Sequence, residues 1–176
     1  MKDHKILITG TVGAGKTTAT GAISDTPPVS TDVRNSDPSV AKASTTVGLD
    51  FGQLTLDSGE RVRLFGTPGQ ARFDFLWRSL AHNALGLIIL TDNSRPDPLA
   101  DLALYLDGFE EQLATLPCTI GVGRLPTHPA PSLDDYGDLL AGRGWVFPIL
   151  DVDVRQADDV ALLIDTLIAQ IDTELQ

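Results

Sequence analysis

Residues 5–18 of the chain read KILITGTVGAGKTT, an apolar run that leads into a glycine-rich loop and then a lysine. Residues 10–17 match a pattern of Gly, any four residues, Gly, Lys, and Ser or Thr. The run 5–9 predicts a buried strand, and residues 16–23 predict a helix that ends before Pro27 and Pro28. A glycine-rich loop between such elements turns successive backbone N–H groups inward at the start of the helix. The stretch therefore predicts a phosphate-binding loop.

The side chains of this loop have distinct expected tasks. The Lys16 ammonium is expected to lie between the β- and γ-phosphates of a nucleoside triphosphate and to assist phosphoryl transfer as a catalytic residue. Thr17 is expected to give its hydroxyl to Mg²⁺. The loop residues predicted to contact the nucleotide are Gly10, Val12, Gly13, Ala14, Gly15, Lys16, Thr17 and Thr18.

Predicted strands and helices alternate along the rest of the chain. Residues 47–56 and 61–65 alternate apolar and polar residues around the turn sequence DSGE, which predicts a hairpin. Residues 84–91 are typical of a central strand, and shorter strands are predicted at 119–122 and 146–150. Helices are predicted at 73–81, from Pro98 through Leu113, at 134–140 and at 160–175, and a long surface loop at 24–43. The pattern indicates one α/β domain, residues 1–176, with a mainly parallel sheet.

Composition and charge narrow the class of partners. Among 176 residues, 13 are Lys or Arg and 24 are Asp or Glu, which gives a formal charge of −11. This balance argues against nucleic acid and anionic membranes as broad partners, because both attract positive charge. No signal, lipidation or membrane-spanning pattern is evident, so we expect a cytoplasmic protein without a membrane anchor. Cys118 lies in an apolar run and is expected to be a buried thiol.

Two further stretches carry a family resemblance. Residues 64–73 read LFGTPGQARF, and residues 45–51 read TTVGLDF. Together with the phosphate loop, they resemble the two switch segments of Ras-like small GTPases, and the wording of 64–73 is similar to a bacterial branch that includes MglA-type and conserved-operon GTP-binding proteins. The resemblance implies a P-loop NTPase of three layers, α/β/α, with a Ras-like six-stranded, mostly parallel sheet and about five helices. It also implies Mg²⁺ and GTP or GDP as ligands.

The resemblance assigns roles to residues of the two switch segments. Thr46 would bind Mg²⁺ through its hydroxyl and the γ-phosphate through its N–H, with Thr45 as the alternative. Gly69 would offer its backbone N–H to the γ-phosphate. Gln70 would be the catalytic residue that orients the attacking water, since phosphoryl transfer depends on positioning and charge neutralisation.

One departure from the family pattern concerns the metal. Gly66 stands where most Ras-like proteins carry the aspartate that holds Mg²⁺ through water, so that carboxylate is missing. The MglA-type branch also departs at this position. Asp92, at the end of the next predicted strand, is either a group that approaches the site or an ordinary turn aspartate.

A second departure concerns the base. Val122 and Leu125 replace the Asn and the Asp of the guanine-reading Asn-Lys-x-Asp motif, so a guanine preference does not follow from these residues. Arg124 is either a residue that stacks on a purine or a solvated loop arginine. Asp151 and Asp153, after the last predicted strand, either supply a carboxylate to the base or act as helix-capping or surface acids.

The pattern as a whole favours a nucleotide-dependent molecular switch that binds GTP with Mg²⁺ and hydrolyses it slowly. By resemblance, a roadblock-domain regulator or effector is expected as its partner. Two alternatives remain open at this point. One is a degenerate GTPase that does not hydrolyse nucleotide and serves as a protein-binding module. The other is a P-loop NTPase that uses ATP or is indifferent to the purine.

Overall fold

The fold is organised around a central strand, β1 (Asp3–Gly10), whose last five residues are all buried. The computed structural model describes residues 3–31 and 49–174. Ile6 and Ile8 belong to the core on one side of β1, and Leu7 belongs to the core on the other. This alternation follows from the pleat of a strand, which sends successive side chains to opposite faces. The apolar run predicted at 5–9 is therefore continuous because both faces of β1 pack against a core.

The sheet continues on both sides of β1. The other strands are β2 (Val29–Thr31), β3 (Leu49–Thr55), β4 (Arg61–Gly66), β5 (Gly86–Asp92), β6 (Cys118–Gly123) and β7 (Ile149–Asp151). Among the described residues the sheet order is β2-β3-β4-β1-β5-β6-β7. β4, β1, β5, β6 and β7 run parallel, whereas β2–β3 and β3–β4 are antiparallel pairs. The predicted strands correspond to β1 and to β3 through β7.

The predicted hairpin is confirmed as the pair β3 and β4. Its turn closes with a hydrogen bond of 2.9 Å from the backbone N–H of Leu56 to the carbonyl oxygen of Glu60. The register places Asp50 of β3 opposite Gly66 of β4. The prediction of a loop at 24–43 was wrong for β2, which pairs with β3. The sequence of this edge strand has no apolar pattern that would predict it, and its one apolar side chain, Val29, is exposed. Residues 32–48 of the predicted loop lie outside the described ranges.

Six α-helices accompany the strands in the described residues. They are α1 (Lys16–Ile23), α2 (Asp74–Ala81), α3 (Pro98–Gly108), α4 (Glu110–Leu113), α5 (Leu133–Gly142) and α6 (Ala157–Glu174). A 3₁₀ turn, Ala71–Phe73, precedes α2. About five helices were expected, and the additional helix arises because the predicted segment from Pro98 to Leu113 is interrupted at Phe109. Asp97 caps α3 by accepting the N–H of Ala100.

Helices cover both faces of the sheet and form two cores. One core joins α2, α3 and α5 to the strand residues Leu7, Leu87, Ile89, Ile120 and Val122. The other joins α1 and α6 to Ile6, Ile8, Val62, Leu64, Ile88 and Leu90. The burial of β5 on both faces agrees with the apolar run predicted for a central strand.

Cys118 is fully buried, as predicted, and burial raises the pKa of its thiol. The strand predicted at 146–150 begins only at Ile149, because Val146 is almost fully exposed while Trp145 and Phe147 stack on each other at 5.4 Å. Within the described residues, no helix combines the length and the apolar character that a membrane crossing requires.

Candidate functional site

The loop between β1 and α1 has a backbone path that only glycine supports at two points. Gly10 has φ 147°, and a Cβ there would overlap the carbonyl oxygen of Leu90 in β5. Gly15 has φ 96° and serves as the N-cap of α1. The left-handed conformation at Gly15 is strained for other residues, since a Cβ meets the backbone there. The glycines of the predicted loop are thus required by its shape.

Lys16 turns back into this loop. Its Nζ donates hydrogen bonds to the carbonyl oxygens of Gly10 at 2.8 Å and Thr11 at 2.9 Å. Lys16 is only 9% exposed. Burial lowers the pKa of the ammonium to about 8, and the nearby charge of Asp50 partly opposes this shift. The chain therefore holds a desolvated cation at the centre of the loop, where it is available to an anion.

The start of α1 adds further donors for an anion. The first N–H groups of a helix have no acceptor within the helix, and the helix dipole places partial positive charge there. Gly15 has no side chain with which to cap them. The hydroxyl of Thr11 is buried and has no hydrogen-bond partner among the described residues, a condition that few buried polar groups show. A phosphate group fits this set of donors and the Lys16 charge.

An acidic residue that was missed in the sequence lies beside Thr17. The Thr17 hydroxyl donates a hydrogen bond of 2.5 Å to Oδ2 of Asp50, which is 5% exposed. A Cβ placed on Gly66 would lie 3.0 Å from Cβ of Asp50 and 3.2 Å from its Oδ2. Glycine at position 66 therefore leaves room for a carboxylate that comes from the neighbouring strand. The signal available in the sequence was the register of the predicted hairpin, which sets positions 50 and 66 opposite each other.

Residues 67–70, within the second predicted switch segment, lie directly against the loop. The N–H of Thr67 donates to the carbonyl oxygen of Ile8 at 2.9 Å, which anchors the segment to β1. A Cβ placed on Gly69 would lie 2.7 Å from Nζ of Lys16 and 2.8 Å from the backbone nitrogen of Val12. The structure thus brings the predicted residues Gly69 and Lys16 together.

Two predicted switch residues are less constrained by these observations. Gln70 is half-buried and follows Gly69, and its carbonyl oxygen accepts the N–H of Phe73 at 3.0 Å. Thr46, with its alternative Thr45, lies outside the described residues. Their predicted roles stay predictions.

A cleft of about 540 Å³ opens beside the loop, at the carboxyl ends of the parallel strands. Ligands of open α/β sheets commonly bind at this edge, and the volume suits a small organic molecule. Predicted phosphate-loop residues and predicted base contacts both line this cleft. These are Gly13, Ala14, Gly15 and Thr18 from the first group and Arg124, Asp151 and Asp153 from the second.

Asp92 and Arg124 form an ion pair at the cleft. The predicted turn role of Asp92 is confirmed, because its Oδ1 accepts the N–H of Ser94 at 2.9 Å and the Ser94 hydroxyl at 2.6 Å. Burial acts to raise the pKa of Asp92, but the hydrogen bonds from Ser94 and Arg124 outweigh it and hold the pKa below its usual range. Arg124 has φ 62°, an uncommon backbone conformation for a residue other than glycine. The ion pair with Asp92 fixes the Arg124 side chain at the cleft.

The two candidate carboxylates after β7 differ in their availability. Both oxygens of Asp153 accept hydrogen bonds from the Arg155 guanidinium, at 2.9 and 2.7 Å. These bonds hold the pKa of Asp153 at about 2. Within the described residues, no hydrogen bond or ion pair engages the Asp151 carboxylate. Asp151 is therefore the better placed of the two to accept hydrogen bonds from a ligand in the cleft.

The desolvation of Lys16 predicts a pH dependence of stability. Its pKa is about 8 in the folded chain and 10.5 when unperturbed, so between these values the unfolded state binds more protons. Stability must rise with pH through this window and be lowest below pH 8. We expect the free energy of unfolding of the wild type, relative to Lys16→Met, to rise by about 2–3 kcal/mol from pH 7.5 to 10.5.

Denaturant unfolding of both proteins at each pH measures this difference. Lys5→Met, at a partly exposed lysine whose pKa burial also lowers, should show a smaller change. If the difference in free energy of unfolding between the wild type and Lys16→Met stays constant across the pH range, the assignment of Lys16 as a desolvated ammonium is contradicted.

Comparison with known proteins does not assign this chain to a family. No protein-family model matches the chain, and no curated protein matches it.

Proposed function

We propose that this chain is a nucleotide-dependent switch that binds GTP with Mg²⁺ and hydrolyses it slowly. The observation that carries the proposal is the cradle formed by the glycine-rich loop, the buried Lys16 ammonium and the start of α1, with Gly69 resting against it. A cation and aligned N–H groups in one concave backbone turn are suited to a polyphosphate. The adjoining cleft gives a nucleoside attached to that polyphosphate a place to bind.

The sheet supports the suggestion of a Ras-like P-loop fold. β1 lies between β4 and β5, the loop follows β1, and β3 and β4 form the antiparallel hairpin that the alternating sequence pattern predicts. The edge strand β2 is an addition to the implied six strands. The resemblance to the bacterial branch and the expected roadblock-domain partner are part of the same proposal and rest on the motifs at 10–17 and 64–73.

Thr17 and Asp50 are the described residues that would hold Mg²⁺. Hydroxyl and carboxylate oxygens are the donors that this hard cation prefers, and the two side chains already share a hydrogen bond. Thr46 remains the second predicted protein ligand. The described residues include no group of three or more His, Cys, Asp or Glu side chains suited to a metal, so phosphate oxygens and water would complete the set. The ion would neutralise charge that develops on the phosphates.

Each described residue has a definable part in the proposed hydrolysis. Lys16 would exchange its bonds to the Gly10 and Thr11 carbonyls for phosphate oxygens and stabilise their negative charge. Gly69 would present its N–H to the γ-phosphate. Gln70 would orient the attacking water, which is the positioning that phosphoryl transfer requires.

Recognition of guanine is proposed to depend on Asp151. Guanine offers an N1–H and an amino group on one edge, and a carboxylate can accept from both. Asp151 lines the cleft and is not engaged by another described side chain. Arg124 is held by Asp92 on the same wall, where its guanidinium plane can contact a purine face.

Binding competition tests the proposed function most directly. The nucleotide-stripped chain with Mg²⁺ is expected to bind GTP and GDP, with GTP displacing a fluorescent guanine nucleotide far better than ATP does. Equal displacement by ATP and GTP would replace the proposal with a purine-indifferent NTPase. Binding of neither GTP nor GDP would refute it.

A hydrolysis arm of the same experiment separates a switch from a passive module. Single-turnover cleavage of GTP is expected in the wild type and should fall strongly in Gln70→Ala and Lys16→Ala, because these changes remove water positioning and charge neutralisation. Retained GTP binding without measurable cleavage in the wild type would favour the degenerate, protein-binding alternative.

Asp50→Asn tests the metal site by binding. The variant keeps the shape of the side chain and removes its charge, so the Mg²⁺ concentration needed for half-maximal retention of GDP should rise about tenfold. The measurement is nucleotide dissociation as a function of Mg²⁺. Asp57→Asn, in the exposed hairpin turn, is the matched control and should behave as wild type. An unchanged Mg²⁺ titration for Asp50→Asn would remove Asp50 from the metal site.

Asp151→Asn tests base recognition. Xanthine carries a carbonyl where guanine carries its amino group, so an asparagine amide can donate to xanthine where the carboxylate cannot. The ratio of XTP affinity to GTP affinity should rise by about tenfold or more, the scale of a hydrogen bond to a charged group. Asp158→Asn, at the exposed start of α6, is the control. The same ratio in Asp151→Asn and wild type would exclude Asp151 as the base-reading group.

A further inference from the structure

Two buried aromatic side chains hold consecutive carbonyl groups of residues 67–70, within the second predicted switch segment. Nε1 of Trp77 in α2 donates a hydrogen bond of 2.9 Å to the carbonyl oxygen of Pro68. The hydroxyl of Tyr105 in α3 donates one of 2.6 Å to the carbonyl oxygen of Gly69. These contacts span different elements, and nothing in the motif at 64–73 requires them.

Packing fixes both donors. Trp77 and Tyr105 are each 1% exposed, and their ring centroids are 4.8 Å apart. Trp77 also stacks on Phe109 at 5.5 Å with nearly parallel rings. A Cβ on Gly108 would lie 2.7 Å from the Trp77 ring, so α3 approaches the indole as closely as a glycine permits. Burial raises the pKa of Tyr105, which keeps its hydroxyl protonated and therefore a donor.

Because a peptide bond is planar, these two hydrogen bonds also set the directions of the N–H groups that follow the bound carbonyls. In a planar trans peptide the N–H points opposite to the C=O, and the Pro68–Gly69 bond is trans. Because Trp77 holds the Pro68 carbonyl, the Gly69 N–H points away from the indole. Because Tyr105 holds the Gly69 carbonyl, the N–H of Gln70 points away from the phenol in the same manner.

The first of these N–H groups belongs to Gly69, which lies against Lys16 and Val12 of the loop, and the second belongs to the next residue, Gln70. We propose that Trp77 and Tyr105 are positioning residues that aim the N–H groups of Gly69 and Gln70 at the γ-phosphate of a bound nucleoside triphosphate. They would thereby set the preference of the site for triphosphate over diphosphate. This inference rests on the proposed function, since it requires a nucleotide in the loop.

The test compares two affinities in each variant. Trp77→Phe removes the indole N–H, and Tyr105→Phe removes only the hydroxyl. For each, the dissociation constants of GTPγS and GDP are measured with Mg²⁺, together with a thermal melt. The ratio of GTPγS affinity to GDP affinity should fall about fivefold in either variant, the scale of one neutral hydrogen bond. A purely structural role would change both affinities together and leave the ratio constant.

Tyr136→Phe is the matched control. Tyr136 is equally buried, and its hydroxyl donates instead to Oδ1 of Asn93 at 2.6 Å, so the ratio should stay at the wild-type value. If Trp77→Phe fails to fold, Tyr105→Phe decides the matter. An unchanged ratio in a folded Tyr105→Phe overturns the inference while leaving the proposed function intact. A wild type that binds neither nucleotide overturns both.

Discussion

The buried ammonium of Lys16 constrains the arrangement of everything around it. A desolvated cation requires fixed acceptors, and the carbonyl oxygens of Gly10 and Thr11 supply them at 2.8 and 2.9 Å. The end of β1 is held by β5, where Gly10 pairs with Leu90, and the Thr11 carbonyl also accepts the N–H of Ala14 at 3.0 Å. The loop can close around the ammonium only if its first residue passes against β5, which is the close approach of Gly10 to Leu90. The shape of the glycine-rich loop is therefore a consequence of a central strand and of a glycine where that strand ends.

Much of the fold could be predicted because its signals are local. The apolar run at 84–91 identifies a strand covered on both faces, and the alternation around DSGE identifies the hairpin. The errors have equally local causes. β2 carries no apolar pattern, since it is held at the sheet edge by backbone pairing while Val29 is exposed. The interruption at Phe109 leaves the helical spacing of apolar residues intact, so periodicity alone could not show that two helices follow Pro98.

The candidate site likewise contains residues that local sequence signals could predict and residues that they could not. The loop at 10–17 could be predicted because its chemistry is contiguous in sequence. Asp50, Trp77 and Tyr105 could not, since each is hydrogen-bonded to a partner brought close by folding: Asp50 is 33 residues from Thr17, and Tyr105 is 36 residues from Gly69. Among the candidate base contacts, the sequence could name Asp151 and Asp153 together but could not separate them. The difference depends on where the Arg155 side chain lies.

Gly66 and Asp50 show that a carboxylate missing at one position can be supplied by the opposite residue of the neighbouring strand. Opposed residues in an antiparallel ladder have Cβ atoms about 5 Å apart, so a carboxylate can move from one strand to its neighbour and still reach the Thr17 hydroxyl. A side chain at position 66 would require Asp50 to shift, because its Cβ would lie 3.0 Å from Cβ of Asp50. This placement of the carboxylate also changes the connectivity of the proposed switch. The carboxylate now lies four residues after Thr46 in the sequence, so the first switch segment would lead straight into the strand that carries the metal-linked acid. In the proposed switch, a γ-phosphate bound by Thr46 and a metal bound by Asp50 would therefore be linked through a short stretch of the same chain.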